Sequence, residues 1–308
     1  LGTVLVTGGA GFIGSHLCLK LLQQNDVICV DSLISGNKQN LSAVFDEPGF
    51  TYIEHDITIP FDVGQNLDEV YNLACPASPP DYQAHPVETL MVCAAGVKNV
   101  LDLAVKHKAR FLHTSTSEVY GDPLEHPQKE TYWGHVNPIG TRSCYDEGKR
   151  FAESLIVNYR QKYDLDAKIV RIFNTYGPMM RANDGRVVSN FINQALQGED
   201  LTIYGDGTQT RSFCYVADMI NGILAITASG ETGPVNLGNP VEMTVGELAD
   251  KILDLTGSSS RTVNKPLPAD DPTQRRPDIT LAQERLAWNP SVSLDDGLKE
   301  TIKWFRKQ

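Results

Sequence analysis

An apolar run at residues 3–7 is followed at once by Gly8-Gly9-Ala10-Gly11-Phe12-Ile13-Gly14, and then by a helix-like stretch at residues 15–23. Few features restrict a fold more. Gly8 permits a tight turn, Gly11 lets the backbone approach a ligand, and Gly14 lets the helix pack closely on the strand. A turn of this kind aims the first N–H groups of a helix at one point, where the helix dipole favours phosphate. Taken alone, such a turn can equally be ligand-free.

Asp31 adds weight. It ends a second apolar run at residues 27–30, 17 residues after Gly14. A carboxylate there accepts both hydroxyls of an adenosine ribose and repels a 2′-phosphate, so the pair of features predicts NAD rather than NADP. The other reading of Asp31 is a cap on the following turn. Asp56, after a third apolar run, is positioned to hold the adenine amino group. Phe12 and Ile13 in the turn, Ser32 beside Asp31, Ile57 beside Asp56, and Leu73 and Ala74 after a fourth run complete the candidate NAD-binding set.

Strand-like runs at 51–54, 69–73, 110–115 and 167–173 alternate with helix-like stretches at 87–106 and 145–163. That rhythm predicts an α/β fold, a Rossmann-type doubly wound parallel sheet with ligands at the carboxyl ends of its strands. Beyond residue 174 the rhythm changes. Helices are expected at 187–197, 216–228, 245–255 and 294–305, with short strands at 201–204 and 233–237 and an irregular loop at 258–280. The expected division is an NAD-binding domain, 1–173, and a smaller C-terminal α/β lobe, 174–308, partly interleaved with it.

With 308 residues the chain can bury a sizeable core. Its formal charge of −11, from 27 Lys/Arg against 38 Asp/Glu, sets nucleic acid and anionic membrane low as partners. Cys18, Cys29, Cys75, Cys93, Cys144 and Cys214 include no C-x-x-C pair and read as free thiols. The seven histidines show no ligand spacing, so no metal site is expected. No run of 18 apolar residues is present. Leu1 directly precedes a core strand, which leaves the compartment open: cytoplasm, or a Golgi lumen if an N-terminal anchor precedes it.

Thr116, Ser117 and Glu118 follow the 110–115 strand, and Tyr145 and Lys149 share one helix face at i,i+4. A phenol is a poor base at neutral pH, and a neighbouring ammonium favours the phenolate. Tyr145 could then take a proton from a sugar hydroxyl that Thr116 places. A lone Tyr-x-x-x-Lys is more often an ordinary helix pair; three coordinated features in this order favour chemistry.

These residues resemble the extended short-chain dehydrogenase/reductases that act on nucleotide sugars, and among them the UDP-glucuronate decarboxylase family. The segments that carry the likeness are 73–80, 114–121, 132–140, 144–150, 171–178, 183–195, 235–240 and 275–279. The resemblance implies that NAD oxidises C4 of UDP-glucuronate with Tyr145 as base, that the resulting β-keto acid loses CO2, and that hydride return gives UDP-xylose. Related dehydratases typically carry an Asp at the position of Ser117, the acid for a leaving hydroxyl; decarboxylation needs none. Glu118 is implied to position the sugar or manage the C5 proton. The resemblance places Asn174, Arg211 and Arg275 on the diphosphate, Val188, Thr202, Tyr204 and Gln209 around uridine, and Pro79, Tyr82 and Glu118 beside the hexuronate. Arg275 also matches a family arginine near the reacting carboxylate; a solvated loop is its other reading.

The chain departs from the family at Met91, Val92 and Cys93, where Lys, Thr and Asn are usual, and at Met179, where Arg is usual. Weaker or rearranged uronate binding is implied, with Arg142 and Arg181 as replacement charge. Two rival readings stay open: a UDP-hexuronate or UDP-hexose 4-epimerase using the same Thr116, Tyr145 and Lys149, and a non-catalytic NAD-binding scaffold. The family likeness also implies a homodimer, through Leu101, Leu103, Ala104, Phe151, Leu155 and Ile156, although these positions could equally face the sheet.

Overall fold

The computed structural model describes residues 2–267 and 274–308. Helices and strands alternate through the first half: β1 Gly2–Thr7, α1 Phe12–Leu21, β2 Asn25–Asp31, β3 Phe50–Glu54, β4 Glu69–Asn72, α2 Pro79–Ala84, α3 Pro86–Met91, α4 Val97–His107, β5 Arg110–Thr116, α5 Ser143–Tyr163 and β6 Ala167–Ile172. The second half comprises β7 Thr175–Tyr176, α6 Val187–Gln197, β8 Leu201–Tyr204, β9 Thr210–Ser212, β10 Cys214–Tyr215, α7 Val216–Ala228, β11 Val235–Leu237, β12 Glu242–Thr244, α8 Val245–Thr256, β13 Thr262–Lys265, β14 Gln274–Arg275, α9 Thr280–Leu286 and α10 Leu294–Phe305.

Seven parallel strands form the main sheet in the order β11-β6-β5-β4-β1-β2-β3. Their near-continuous apolar sequences suit a sheet buried on both faces. One face packs on α1 and α7 through Val4, Val6, Leu17, Leu21, Ile223 and Ile226; the other packs on α4 and α5 through Leu5, Val70, Val100, Leu101, Ala152 and Ile156. A third core joins α6, α8 and α10 through Phe191, Ile192, Leu248, Ile252, Leu298 and Ile302. Helix α8 is fixed at its start by a reciprocal Thr244–Glu247 capping box and ended by left-handed Gly257.

The doubly wound parallel sheet is as expected, but several local expectations are corrected. Helix α1 starts at Phe12, not 15, because extended Gly11 hands the chain straight into the first turn. The 87–106 stretch is helical throughout, as expected, but not regular: α3 and α4 are joined by a π-helical turn, Val92–Gly96, and a side chain at Gly96 would meet Ile57 at 2.9 Å. The 258–280 segment is not irregular throughout. Residues 268–273 lie outside the described residues, but β13 pairs with β8, β14 pairs with β9, and α9 follows from Thr280. Of the six apolar positions offered for a subunit contact, Leu101, Leu103, Ala104 and Ile156 are buried in the core and Leu155 packs at its edge, because a parallel sheet needs both faces covered. Phe151 is 52% exposed. No described helix is long and apolar enough to cross a membrane.

Candidate functional site

Strand order reverses between β1 and β4, and there the carboxyl ends of the strands open into a cavity of about 810 Å³. All the sequence-predicted site residues line it, from Gly8 and Asp31 at one end to Gln209 and Arg211 at the other.

The glycine turn is a cradle that side chains would fill. Gly8 has φ +72, and a Cβ on Gly14 would lie 2.1 Å from the Gly8 carbonyl oxygen. No side chain caps α1 at Gly11, so the turn presents backbone N–H groups to the cavity. Asp31 braces this turn: its Oδ2 accepts from the Ala10 N–H at 2.9 Å and its Oδ1 from the Leu33 N–H at 2.8 Å. Burial pushes its carboxyl up, and the two backbone bonds oppose that. Each oxygen still has acceptor capacity for a ribose hydroxyl. Asp56 is exposed beside the opening, its Oδ1 accepting from the Thr58 N–H, with Ile57 buried next to it. Ser32, Leu73 and Ala74 line the same end, as do Phe12 and Ile13. The deep glycine cradle and the braced carboxylate fit a dinucleotide.

Strand β5 delivers Thr116 to the cavity floor, where its hydroxyl accepts from the Glu118 N–H at 3.2 Å and hydrogen-bonds the Tyr145 side chain. Helix α5 buries Tyr145, Lys149, Ala152, Ile156 and Tyr159 along one stripe, which brings the phenol and the ammonium to the same wall. Lys149 Nζ lies 5.9 Å from the Tyr145 ring centroid and donates to the Thr114 carbonyl at 2.8 Å. The expected lowering of the phenol is not what this arrangement produces. Burial pushes Tyr145 well above its ordinary value, Cys75 adds to this, and the Thr116 bond opposes without prevailing.

Beyond Tyr145 sits a buried cluster of opposite charges. Glu118 Oε2 accepts from Arg142 at 2.5 Å and from Arg275 at 3.2 Å. Burial alone would push the Glu118 carboxyl up, but Arg275 and Arg142, with Arg211 beyond them, hold it at about 2. Arg275 is 1% exposed, which removes the solvated-loop reading. Its fork also donates to the Ser117 carbonyl at 2.6 Å and the Gly121 carbonyl at 2.9 Å, so it faces the turn after β5. Ser117 is buried beneath it. Tyr82 lies across from Tyr145 with its hydroxyl buried and without a partner, and Pro79 opens α2 above.

At the far end, Val188 is buried, Thr202 is held through both its N–H and its Oγ1 by Gln194, and the Gln209 amide donates to the Tyr204 carbonyl. Arg211 and Asn174 line the same cavity, the former in electrostatic reach of Glu118. Met179 stands at φ +70 and accepts from the Ser15 hydroxyl at 3.2 Å, tying this loop to α1. Met91 is 47% exposed at the rim. Of the two arginines expected to replace lost charge, Arg142 reaches Glu118 and Arg181 pairs with Asp81.

Sequence reasoning missed Arg186, whose guanidinium lies 5.7 Å from the Phe12 ring centroid while pairing with Asp184, and Cys75 beside Lys149. Asp184 is only two residues from Arg186, but Phe12, and the Cys93 and Lys149 neighbours of Cys75, are remote in the chain, so no local pattern marks either residue as part of the site. Among the described residues no group of three or more His, Cys, Asp or Glu is placed to hold a metal ion.

The sequence profile described as "NAD dependent epimerase/dehydratase family" matches residues 4–238. UDP-glucuronic acid decarboxylase 1 of Arabidopsis thaliana is 51% identical over 306 residues, covering 99% of this chain and 70% of that protein. UDP-glucuronic acid decarboxylase 1 of Xenopus tropicalis is 49% identical over 306 residues, 99% of this chain and 72% of that protein. The crystal structure of UDP-glucuronic acid 4-epimerase from Bacillus cereus, in complex with UDP-glucuronic acid and NAD, superimposes with a TM-score of 0.88 at 28% identity, covering 99% of each chain.

Proposed function

From the chain's membership in the NAD-dependent epimerase/dehydratase family, we propose a definite reaction: conversion of UDP-glucuronate to UDP-xylose and CO2. The observation that carries it is the likeness of about half of all residues, over nearly the whole chain, to decarboxylases of plants and vertebrates. The 4-epimerase of the same fold stands at 28%. Identity at that lower level leaves the rival reading as an outcome of the test below.

Bound NAD would supply a hydride acceptor for C4 of the sugar and the source of the hydride returned there. Gly8, Gly11 and Gly14 would hold its diphosphate, Asp31 its ribose and Asp56 its adenine. Phe12, Ile13, Ser32, Ile57, Leu73 and Ala74 border it. Tyr145 is the base for the C4 hydroxyl that Thr116 positions; because burial raises the phenol, its deprotonation would draw on the Lys149 ammonium together with the positive charge of bound NAD. The 4-ketone makes the carboxyl group part of a β-keto acid, so electrons left by CO2 enter the carbonyl. Glu118, kept ionised by Arg142 and Arg275, serves as a fixed anchor and carries no proton to give, so the C5 carbon exposed by CO2 loss takes its proton from water. Ser117 offers no acid for expelling a hydroxyl, in keeping with a reaction that expels none.

Residues 174–308 supply most of the UDP contacts. Arg211 and Asn174 take the diphosphate, and Val188, Thr202, Tyr204 and Gln209 the uridine. Arg275, turned onto Ser117 and Gly121, belongs to the sugar end with Pro79 and Tyr82. A homodimer is proposed on exposed Leu90 and Phe151 where α3 meets α5.

Incubation with UDP-glucuronate and NAD is expected to release UDP-xylose and CO2. A C4-inverted hexuronate of unchanged mass, or no turnover at all, overturns the reading. Tyr145→Phe is expected to lower turnover by roughly 10²–10⁴ while NAD still binds.

A further inference from the structure

Cys75 and Cys93 meet at the base of the cavity, with their sulfur atoms 3.6 Å apart. Cys75 follows β4 and lines the cavity wall, partly exposed. Cys93 is buried behind it on the π-helical turn between α3 and α4. A side chain at Gly148 would meet the Cys93 sulfur at 3.2 Å, so the bare backbone of α5 is what lets that thiol lie against Cys75. A disulfide bond is about 2.0 Å long, so closure asks for an approach of about 1.5 Å. The π turn, which lacks regular i→i−4 bonding, is the segment able to give it.

We propose that Cys75 is a site of reversible covalent oxidation, with Cys93 as the resolving thiol that closes a disulfide inside the turnover cavity. Hydrogen bonding from Cys93, and the nearby Lys149 ammonium, favour the Cys75 thiolate against the opposing effect of burial. The oxidant is a peroxide. The Cys75 thiolate attacks one peroxide oxygen, the O–O bond breaks, and the leaving hydroxide takes up a proton to become water. Cys93 then attacks the sulfenic sulfur, the S–S bond forms, the S–O bond breaks, and a second water leaves with the Cys93 proton. Two thiols have lost two electrons and two protons, and the peroxide has become two waters. The bond would draw the π turn toward β4 beside Lys149 and close the floor on which the sugar is turned over.

The molecule contains its own comparison. Cys18 and Cys29 also hydrogen-bond each other, beneath Gly9, but both are fully buried and line no part of the cavity. They are expected to stay reduced.

The 308-residue chain is treated with hydrogen peroxide, residual thiols are alkylated, and peptides are read by mass spectrometry alongside turnover of UDP-glucuronate. The expected result is a Cys75–Cys93 cross-link with a mass loss of about 2 Da. Turnover falls by at least about tenfold, dithiothreitol restores it, and Cys18 and Cys29 remain alkylatable. In Cys93→Ser the same treatment carries Cys75 to sulfinic acid, which dithiothreitol does not reverse. Full alkylation of Cys75 and Cys93 after oxidation overturns the proposal, and so does a cross-link that leaves turnover unchanged. The mass arm reads the bond whichever sugar is turned over, so its failure is distinct from failure of the decarboxylase reading.

Discussion

Tyr82 lies flat on Tyr145, with ring centroids 5.0 Å apart and planes within 7° of parallel. The stack clamps the phenol proposed as the base from the side opposite its own helix. The Tyr82 hydroxyl is nonetheless buried with no partner, an arrangement that costs about 1–3 kcal/mol where nothing else offsets it. Tyr82→Phe keeps the stack and removes that cost. The expected outcome is an unchanged or higher Tm with a several-fold rise in KM for the UDP-sugar, measured by calorimetry and initial rates. A lower Tm sinks the idea that the hydroxyl is reserved for substrate.

Glu118 titrates with a definite sign. Its folded value of about 2 lies below an ordinary Glu, so it contributes stability above about pH 4.3 that is lost as pH falls toward 2. The side chain is 16% exposed, and the contribution at neutral pH is roughly 3 kcal/mol. Glu118→Gln is expected to lower Tm at pH 7 and to flatten the acid limb of the Tm–pH curve. An acid limb identical to the parent's refutes the assignment.

Asp146 runs the other way. Burial, and then the neighbouring Glu118 charge, push its carboxyl up to about 7, and its Oδ1 has no partner. The folded chain therefore keeps a proton that the unfolded chain releases near pH 4, and stability falls between about pH 4 and 7. Asp146→Asn should raise Tm more at pH 8 than at pH 4. Equal shifts at the two pH values would count against it.

Gly14→Ala places a methyl carbon 2.1 Å from the Gly8 carbonyl oxygen and 2.8 Å from Gly9 Cα. Backbone atoms cannot swing aside as a flexible side chain can, so the cradle must open. NAD affinity is expected to fall at least about tenfold, read by titration calorimetry, with a loss of about 1–3 kcal/mol of stability. Gly198→Ala, a cap residue with open space around it, should leave NAD affinity unchanged.

What the sequence made legible was local. The glycine turn, Asp31 seventeen residues on, and the Tyr145/Lys149 spacing are short-range patterns, and the fold that results follows from strands that read as buried and helices that read as amphipathic. What stayed hidden depends on distant partners. Glu118 is held by residues 24 and 157 positions away, and the Tyr82 stack joins two helices. Strands β7, β9, β10, β12 and β14 are two or three residues long and exist through their pairing, so no period announces them. The direction of the Tyr145 shift was misjudged because spacing records the ammonium but not the burial that outweighs it.

The last strand of the main sheet, β11, arrives 63 residues after β6 ends, and pairs beside it. A ribosome must therefore release most of the second half before the sheet can be closed on that side. A fragment cut at residue 173 would expose the backbone edge of β6, an open template for strand addition by other chains. The two halves are stitched together by β11, and dividing this protein into separately expressed modules should yield aggregates.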